Sequence, residues 1–189
     1  MSILTEERAA SPSVMTPKIA YIGLGSNLPS FAGGPKATLR AAVERLRSAG
    51  DVIAQSSFYT TDPVGFANQP RFVNAAIAIQ TELSVIDLLH HLFAVEREFG
   101  RDRSQTPLKG PRTLDLDLLL MEDLVVDSPE LTLPHPALAQ RRFVLTPLAE
   151  IAPALVHPVL GKTIAALLNE LHNEGENRIA AVDILRGDG

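Results

Sequence analysis

Apolar and polar positions along this chain fall into blocks whose periods predict secondary structure in a definite order. An unbroken apolar run over 18–24 reads as a buried strand, and the Gly23-Leu24-Gly25 that ends it, followed by Ser26 and Asn27, reads as a tight turn. After Pro35, residues Leu39, Val43 and Leu46 recur at helical spacing, which predicts a helix over 36–49 stopped by Gly50. Residues 52–60 and 72–81 read as two strands, separated by a loop carrying Pro63, Gly65 and Pro70. Ser84-Val85-Ile86-Asp87 resembles a capping box, with Asp in place of the usual Glu, and starts a helix that reaches about Phe99. Leu114, Leu116, Leu118 and Leu120 then alternate with Asp115 and Asp117, the period-two pattern of a strand. Helices over 139–148 and 163–172 and a last strand over 179–185 complete the pattern.

Strand, helix, strand, strand, helix, strand is the order of a ferredoxin-like split βαβ sandwich. Such an α+β fold lays its helices on one face of an antiparallel sheet and leaves the other face open. If the leucines of the Asp-x-Asp strand lie under the helices, both aspartates stand on the open face, about 6–7 Å apart at Cα. Carboxylates converging there are hard oxygen ligands suited to Mg²⁺, which binds through one or two carboxylates together with waters and substrate phosphates.

Charge sharpens that picture. Just upstream stand Arg97, Arg101, Arg103, Lys109 and Arg112, whereas no Lys or Arg occurs over 113–140. A basic loop with Pro107, Gly110 and Pro111 feeding into paired acids suits a polyphosphate with its metal, because guanidinium forks grip phosphate oxygens while carboxylates hold the ion. The chain as a whole has 189 residues, a hydrophobic fraction of 46%, a net charge of −5 and no cysteine. Disulfides, thiol nucleophiles and cysteine metal sites are therefore excluded, and the acidic balance argues against nucleic acid as a partner. No apolar run has the length of a membrane helix. These features predict a cytoplasmic protein with small-molecule substrates and no membrane or nucleic-acid partner; a monomer is expected, with an oligomer left open. Residues 1–17, with Pro12 and Pro17 and no periodicity, are expected to be a disordered tail, and 18–189 a single domain.

Several patterns prove empty. Gly161-Lys162-Thr163 resembles the end of a P-loop, but Val156 occupies the required earlier glycine position, so Thr163 reads instead as the cap of the last helix. Gly23-Leu24-Gly25 lacks the third glycine of a dinucleotide fingerprint, since Leu28 stands there. His90 and His91 are neighbours on a helix and point apart, so they cannot share one metal. His135 differs, since Pro134 and Pro136 restrict it on both sides and Arg141 follows, an arrangement that can contact phosphate. Asn74, inside an apolar strand, needs partners for its amide. It either bonds the adjoining loop backbone or reads the edge of a flat heterocycle on which Phe72 or Phe143 stacks.

Taken in order, Gly25-Ser26-Asn27, Ser57-Phe58-Tyr59, Pro63-Val64-Gly65, Asn68-Gln69-Pro70, Asn74-Ala75, Gly110-Pro111-Arg112-Thr113-Leu114-Asp115-Leu116-Asp117, Leu133-Pro134-His135-Pro136, Arg141 and Phe143-Val144-Leu145 resemble the 6-hydroxymethyl-7,8-dihydropterin pyrophosphokinase family of folate biosynthesis. The resemblance covers about 18–153. It implies the ferredoxin-like fold and transfer of the β,γ-diphosphate of ATP to the pterin hydroxymethyl group, releasing AMP. It also implies that Asp115 and Asp117 hold two Mg²⁺ ions on the ATP phosphates, and that Arg101, Arg103 and Arg112 belong to loops closing over those phosphates. By the same resemblance Glu96, Arg112, His135 and Arg141 bind ATP, while Thr61, Val64, Phe72, Asn74 and Phe143 form the pterin pocket. The chain departs from the familiar pattern at Lys109 (commonly Trp), Asp62 (Pro), Phe72 (Tyr), Glu130 (Arg) and Phe93 (Gln), none of them a metal ligand. These departures predict altered nucleotide affinity with unchanged chemistry. Two other readings remain beside this one. A nucleotidyl-transfer or cyclase-like enzyme shares the two aspartates but needs no aromatic pocket with Asn74. An RNA-binding sheet needs stacking aromatics on the central strands and a basic face, and the chain has neither.

Overall fold

Strand β4 (Phe72–Thr81) lies inside the sheet, and side-chain size rather than polarity sorts its two faces. Val73, Ile77 and Ile79 look to one side, and Asn74, Ala76 and Ala78 to the other, as the period of two requires. The computed structural model describes residues 16–63, 68–103, 110–173 and 183–184. In it β1 (Lys18–Ser26) runs antiparallel beside β4, and β5 (Asp115–Met121) antiparallel beside β1. On the opposite side of β4, β2 (Asp51–Gln55) pairs with its second half and β3 (Tyr59–Thr61) with its first. β8 (Asp183–Ile184) then pairs with β3. A short hairpin, β6 (Val126–Asp127) and β7 (Thr132–Leu133), follows β5.

The bulky face of the sheet is buried under two helices. α1 (Pro35–Leu46) contributes Leu39, Val43 and Leu46, and α2 (Val85–Glu98) contributes Leu88, Leu89, Leu92 and Val95, against Ile22, Ile77, Ile79, Leu116 and Leu118. Ser84 caps α2 by accepting the Asp87 N–H at 3.1 Å, and its own hydroxyl donates to the Asp87 carboxylate at 2.5 Å. Gly50 is obligatory where it stands, since a Cβ there would lie 2.2 Å from the Gln80 carbonyl oxygen. This is the expected α+β, ferredoxin-like arrangement. The small-residue face is covered over part of its length: α3 (Arg142–Ile151) and α4 (Ile164–Asn173) pack Val144, Leu145, Leu148, Ile164 and Leu167 against Ala76, Leu119 and Leu120.

Four local expectations are corrected. Leu120 does not share the buried face of Leu114, Leu116 and Leu118. The β1–β5 register moves from Tyr21↔Leu120 to Ile22↔Leu118, so Leu119 is an extra, bulged residue and Leu120 turns into the second cluster. Gly23 and Gly25 make no turn, because β1 stays paired on both sides through Gly25. The strand expected over 52–60 is two strands. At Ser56 the backbone N–H donates to the Ala76 carbonyl, while the Ser56 hydroxyl accepts the Ala76 N–H, both at 2.9 Å. A side chain thus stands in for a backbone carbonyl, and one extra residue is absorbed before Tyr59 meets Asn74. The helix expected over 139–148 begins at Arg142, because Arg141 is extended (φ −120°, ψ 102°) after a single 3₁₀ turn at Leu138–Gln140. Residues 1–15 of the tail predicted over 1–17, and residues Val64, Pro107 and Lys109, lie outside the described residues.

Candidate active site

Gly25 is the point on which the site converges. It pairs with Asn74 of β4 on one side and with Asp115 of β5 on the other, and Gly23 next along pairs with Asp117. Partners in register share a face, so both aspartates and Asn74 surround a stretch of β1 that carries no side chain. The clearance is small: a Cβ on Gly25 would lie 3.1 Å from Asn74 Oδ1 and 3.7 Å from Asp115 Cβ.

The two carboxylates live in different surroundings. Asp115 Oδ1 accepts from Arg101 Nη1 at 2.5 Å, and the same guanidinium nitrogen donates to the Leu114 carbonyl at 2.9 Å. Arg112 Nε lies 2.9 Å from Asp115 Oδ2, although its N–H is not aimed at that oxygen and makes no hydrogen bond, so the contact is an ion pair only. Asp117 has no hydrogen bond or ion pair among the described residues. Burial, and then the Asp115 charge, push its carboxyl up to about 6, against the opposing pull of Arg141 and Arg103.

Glu96 backs this pair from α2. Fully buried, it accepts the Leu116 N–H at 2.8 Å and receives a two-pronged contact from Arg103, Nε at 2.6 Å and Nη2 at 2.8 Å. The Arg103 guanidinium also lies 4.4 Å over the Phe93 ring. Phe93, a departure from the familiar pattern, is therefore the platform of this arginine. Arg112 is held through its backbone: its N–H donates to Asn27 Oδ1 at 2.8 Å, and its carbonyl accepts from the Asn27 and Leu28 N–H groups. Asn27 Nδ2 in turn donates to Gln69 Oε1 and to the Pro70 carbonyl. Sequence reasoning gave Asn27 only a local turn role, and its bridging between two distant loops is visible only in three dimensions.

His135 arrives from the other end of β5. Its backbone N–H donates to the carbonyl of the bulged Leu119 at 2.9 Å. Its Nδ1 accepts the Ala137 N–H at 3.2 Å, so the neutral ring carries its proton on Nε2. Burial and the nearby Arg141 charge hold this imidazole below the usual histidine range. Arg141 lies 5.8 Å over the ring of Phe143, at the start of α3.

Of the heterocycle candidates, Asn74 lies against Gly25, and Thr61 and Phe72 adjoin it across β3 and β4. Asn74 Nδ2 donates to Thr61 Oγ1 at 2.8 Å, which leaves the Asn74 carbonyl oxygen as an acceptor and the Thr61 hydroxyl proton as a donor. Phe72 pairs with Thr61 across β3 and β4, and Arg112 lies 5.0 Å over its ring. Two more departures find local partners: Asp62 pairs with Arg71 at 2.8 Å, and Glu130 with His90 at 2.6 Å. His91 contacts Ser48 instead, so the two adjacent histidines do point apart.

Among the described residues no three metal-binding side chains cluster. What the site offers an ion is Asp115, Asp117 and bare backbone, a donor set that fits Mg²⁺ arriving with phosphate oxygens and water better than a metal caged by protein alone.

Comparison with known proteins agrees with this geometry. The family model described as 7,8-dihydro-6-hydroxymethylpterin-pyrophosphokinase matches residues 21–153. The 2-amino-4-hydroxy-6-hydroxymethyldihydropteridine pyrophosphokinase of Pseudomonas aeruginosa is 42% identical over 161 residues, covering 84% of this chain and 95% of that protein. The enzyme of the same name from Methylorubrum extorquens is 42% identical, with 85% and 98% covered. The folic acid synthesis protein fol1 of Schizosaccharomyces pombe is 38% identical over 88% of this chain, which spans only 22% of that longer protein. Among solved structures, wild-type HPPK-DHPS of Plasmodium falciparum superposes with a TM-score of 0.63 at 15% identity, over 82% of this chain and 44% of that one.

Proposed function

Because this chain belongs to the 7,8-dihydro-6-hydroxymethylpterin-pyrophosphokinase family, we propose that it moves the β,γ-diphosphate of ATP to the hydroxymethyl oxygen of 6-hydroxymethyl-7,8-dihydropterin. The observation that carries this reading is the double pairing of Gly25, with Asn74 on one flank and Asp115 on the other. A heterocycle bonded by Asn74 and Thr61 has its reactive substituent beside the carboxylates that serve the phosphates.

The hydroxymethyl oxygen attacks the β-phosphorus, the bond from that phosphorus to the α,β-bridging oxygen breaks, AMP leaves and the hydroxyl proton passes to solvent. Asp115 and Asp117 would hold two Mg²⁺ ions, which would neutralise the triphosphate and orient its oxygens. Arg101 holds Asp115 in place from below. Arg112 and Arg103 supply guanidinium forks for the phosphates, Arg103 after release from Glu96. His135 donates its Nε2–H to a phosphate oxygen, and Arg141 adds charge beside it. Phe72 and Phe143 provide apolar ring contacts for the pterin, and Val64, three positions after Thr61 in the sequence, completes the set of pterin residues. Glu96 seats the nucleotide side by fixing the Leu116 backbone. Catalysis on this plan is alignment and electrostatics, without a dedicated base. We further place the chain in the cytoplasm as a single-domain monomer acting on small molecules. In support, no helix among the described residues is long and apolar enough to cross a membrane.

The test is to incubate the protein with ATP, Mg²⁺ and 6-hydroxymethyl-7,8-dihydropterin and to identify the nucleotide product. Pterin-dependent AMP with a diphosphorylated pterin is the expected result. ADP would make the protein an ordinary phosphotransferase and would refute the proposal.

A further inference from the structure

Glu150 sits in the last turn of α3, away from the phosphate machinery, and its carboxylate takes three hydrogen bonds from one short segment. Oε2 accepts the Ser57 backbone N–H at 2.8 Å and the Tyr59 hydroxyl at 2.7 Å, and Oε1 accepts the Ser57 hydroxyl at 2.8 Å. No cation pairs with this carboxylate among the described residues. Three donors converging on an exposed, unpaired carboxylate is unlike an ordinary solvated glutamate, which lets water satisfy its oxygens. Burial, and then the hydrogen bond and charge of Glu150, push the Tyr59 hydroxyl pKa upward, so the phenol stays a donor.

The segment so gripped is the break between β2 and β3, where Ser57 has left the sheet ladder. Just beyond it, Tyr59 pairs in register with Asn74, and Thr61, two residues on, accepts from the Asn74 amide. The helix that does the gripping begins at Arg142, next to Arg141 and with Phe143 in its first turn. One carboxylate therefore ties the wall that carries Thr61 and Asn74 to the element that carries Phe143. We propose that Glu150 is a positioning residue that sets the spacing of the two walls of the pterin pocket, acting through Tyr59 and Ser57 without touching the ligand. This rests on the pocket assignment made above.

Equilibrium binding separates the possibilities. Pterin binding is followed by the fluorescence of 6-hydroxymethylpterin, and nucleotide binding by titration with a non-hydrolysable ATP analogue and Mg²⁺. Glu150→Ala removes the acceptor of all three hydrogen bonds, and Tyr59→Phe removes one donor while keeping the ring. The expected result is pterin affinity about tenfold lower in Glu150→Ala and a few-fold lower in Tyr59→Phe, with nucleotide affinity within about twofold of the parent. The double variant should lose less than the product of the single losses. Folded variants that keep parental pterin affinity, or that lose both ligands equally, would overturn the inference. If Glu150→Ala fails to fold, Tyr59→Phe alone decides between these outcomes. Parent protein that binds nucleotide but no pterin would overturn the pocket assignment itself, and the inference with it.

Discussion

A missing side chain and an unpartnered one define the site at the scale of single residues. Gly25 leaves little room for a side chain, because a Cβ would press on Asn74 Oδ1 at 3.1 Å. Gly25→Ala is expected to displace that amide by a few tenths of an ångström and to raise KM for the pterin several-fold, with KM for ATP nearly unchanged. Steady-state kinetics with each substrate varied in turn will check it. Asp117 is the unpartnered group, its carboxyl pushed up to about 6 by burial and by Asp115. Asp117→Asn removes that buried charge, so the metal-free protein should unfold at a temperature higher by several degrees, at about 2–4 °C per kcal/mol for this size. The same substitution should abolish turnover. A calorimetric scan without Mg²⁺ and an AMP assay together test for such opposite effects, the mark of a residue strained for function. Both residues stand out in the sequence, Asp117 by its Asp-x-Asp spacing and Gly25 by Gly25-Ser26-Asn27. Their mutual placement does not, because pairing across three strands leaves no local trace in composition.

Elements differ in how far they could be read from their own residues. β4 and α2 could be read almost to the residue, since a ten-residue apolar strand and a Ser-capped amphipathic helix carry their own boundaries. Ser84→Ala should cost about 1 kcal/mol by loss of the cap, visible as a lower unfolding temperature with kinetics unchanged. The β2–β3 break, the Leu119 bulge and the late start of α3 were not legible. The first two are fixed by partners remote in sequence, Ala76 for Ser56 and Tyr21 and Ile22 for Leu119. The third follows from the 3₁₀ turn just before it, whose Leu138 carbonyl accepts the Arg141 N–H at 3.4 Å. The turn between α3 and α4 is similar. There His157 is buried and its Nδ1 accepts the Val159 and Leu160 N–H groups, a role its sequence neighbours do not announce.

That histidine has a consequence for the whole molecule. Burial lowers its pKa, so below about pH 6.5 the unfolded chain takes up a proton that the folded chain refuses. Stability from this group is complete above the unfolded value and is lost as pH falls through that window. His91 and His135 are lowered in the same direction and steepen the loss. His157→Asn keeps an acceptor near the Nδ1 position but cannot titrate. It should flatten part of the decline in unfolding temperature between about pH 6.5 and 5, measured by thermal melts across that range. Two apolar clusters, one on each side of the sheet, hold the molecule together, and the second ends where the aspartates begin. The site lies where the covering helices stop, which lets substrates reach carboxylates that the rest of that face would bury.

By itself the sequence determined the fold class, the strand that carries Asp115 and Asp117, and the family whose motifs run from Gly25 to Leu145. Periodicity, capping and turn chemistry are properties of neighbouring residues, and a string of motifs in one order survives without coordinates. Tertiary structure alone decided that Asn74 and Asp115 flank the same glycine, that Arg101 and Arg103 are held by carboxylates, and that Glu150 grips the break before β3. Those contacts join residues from 7 to 93 positions apart. Strand registry and helix docking bring them together, and both are set by the burial of the whole core rather than by any one segment.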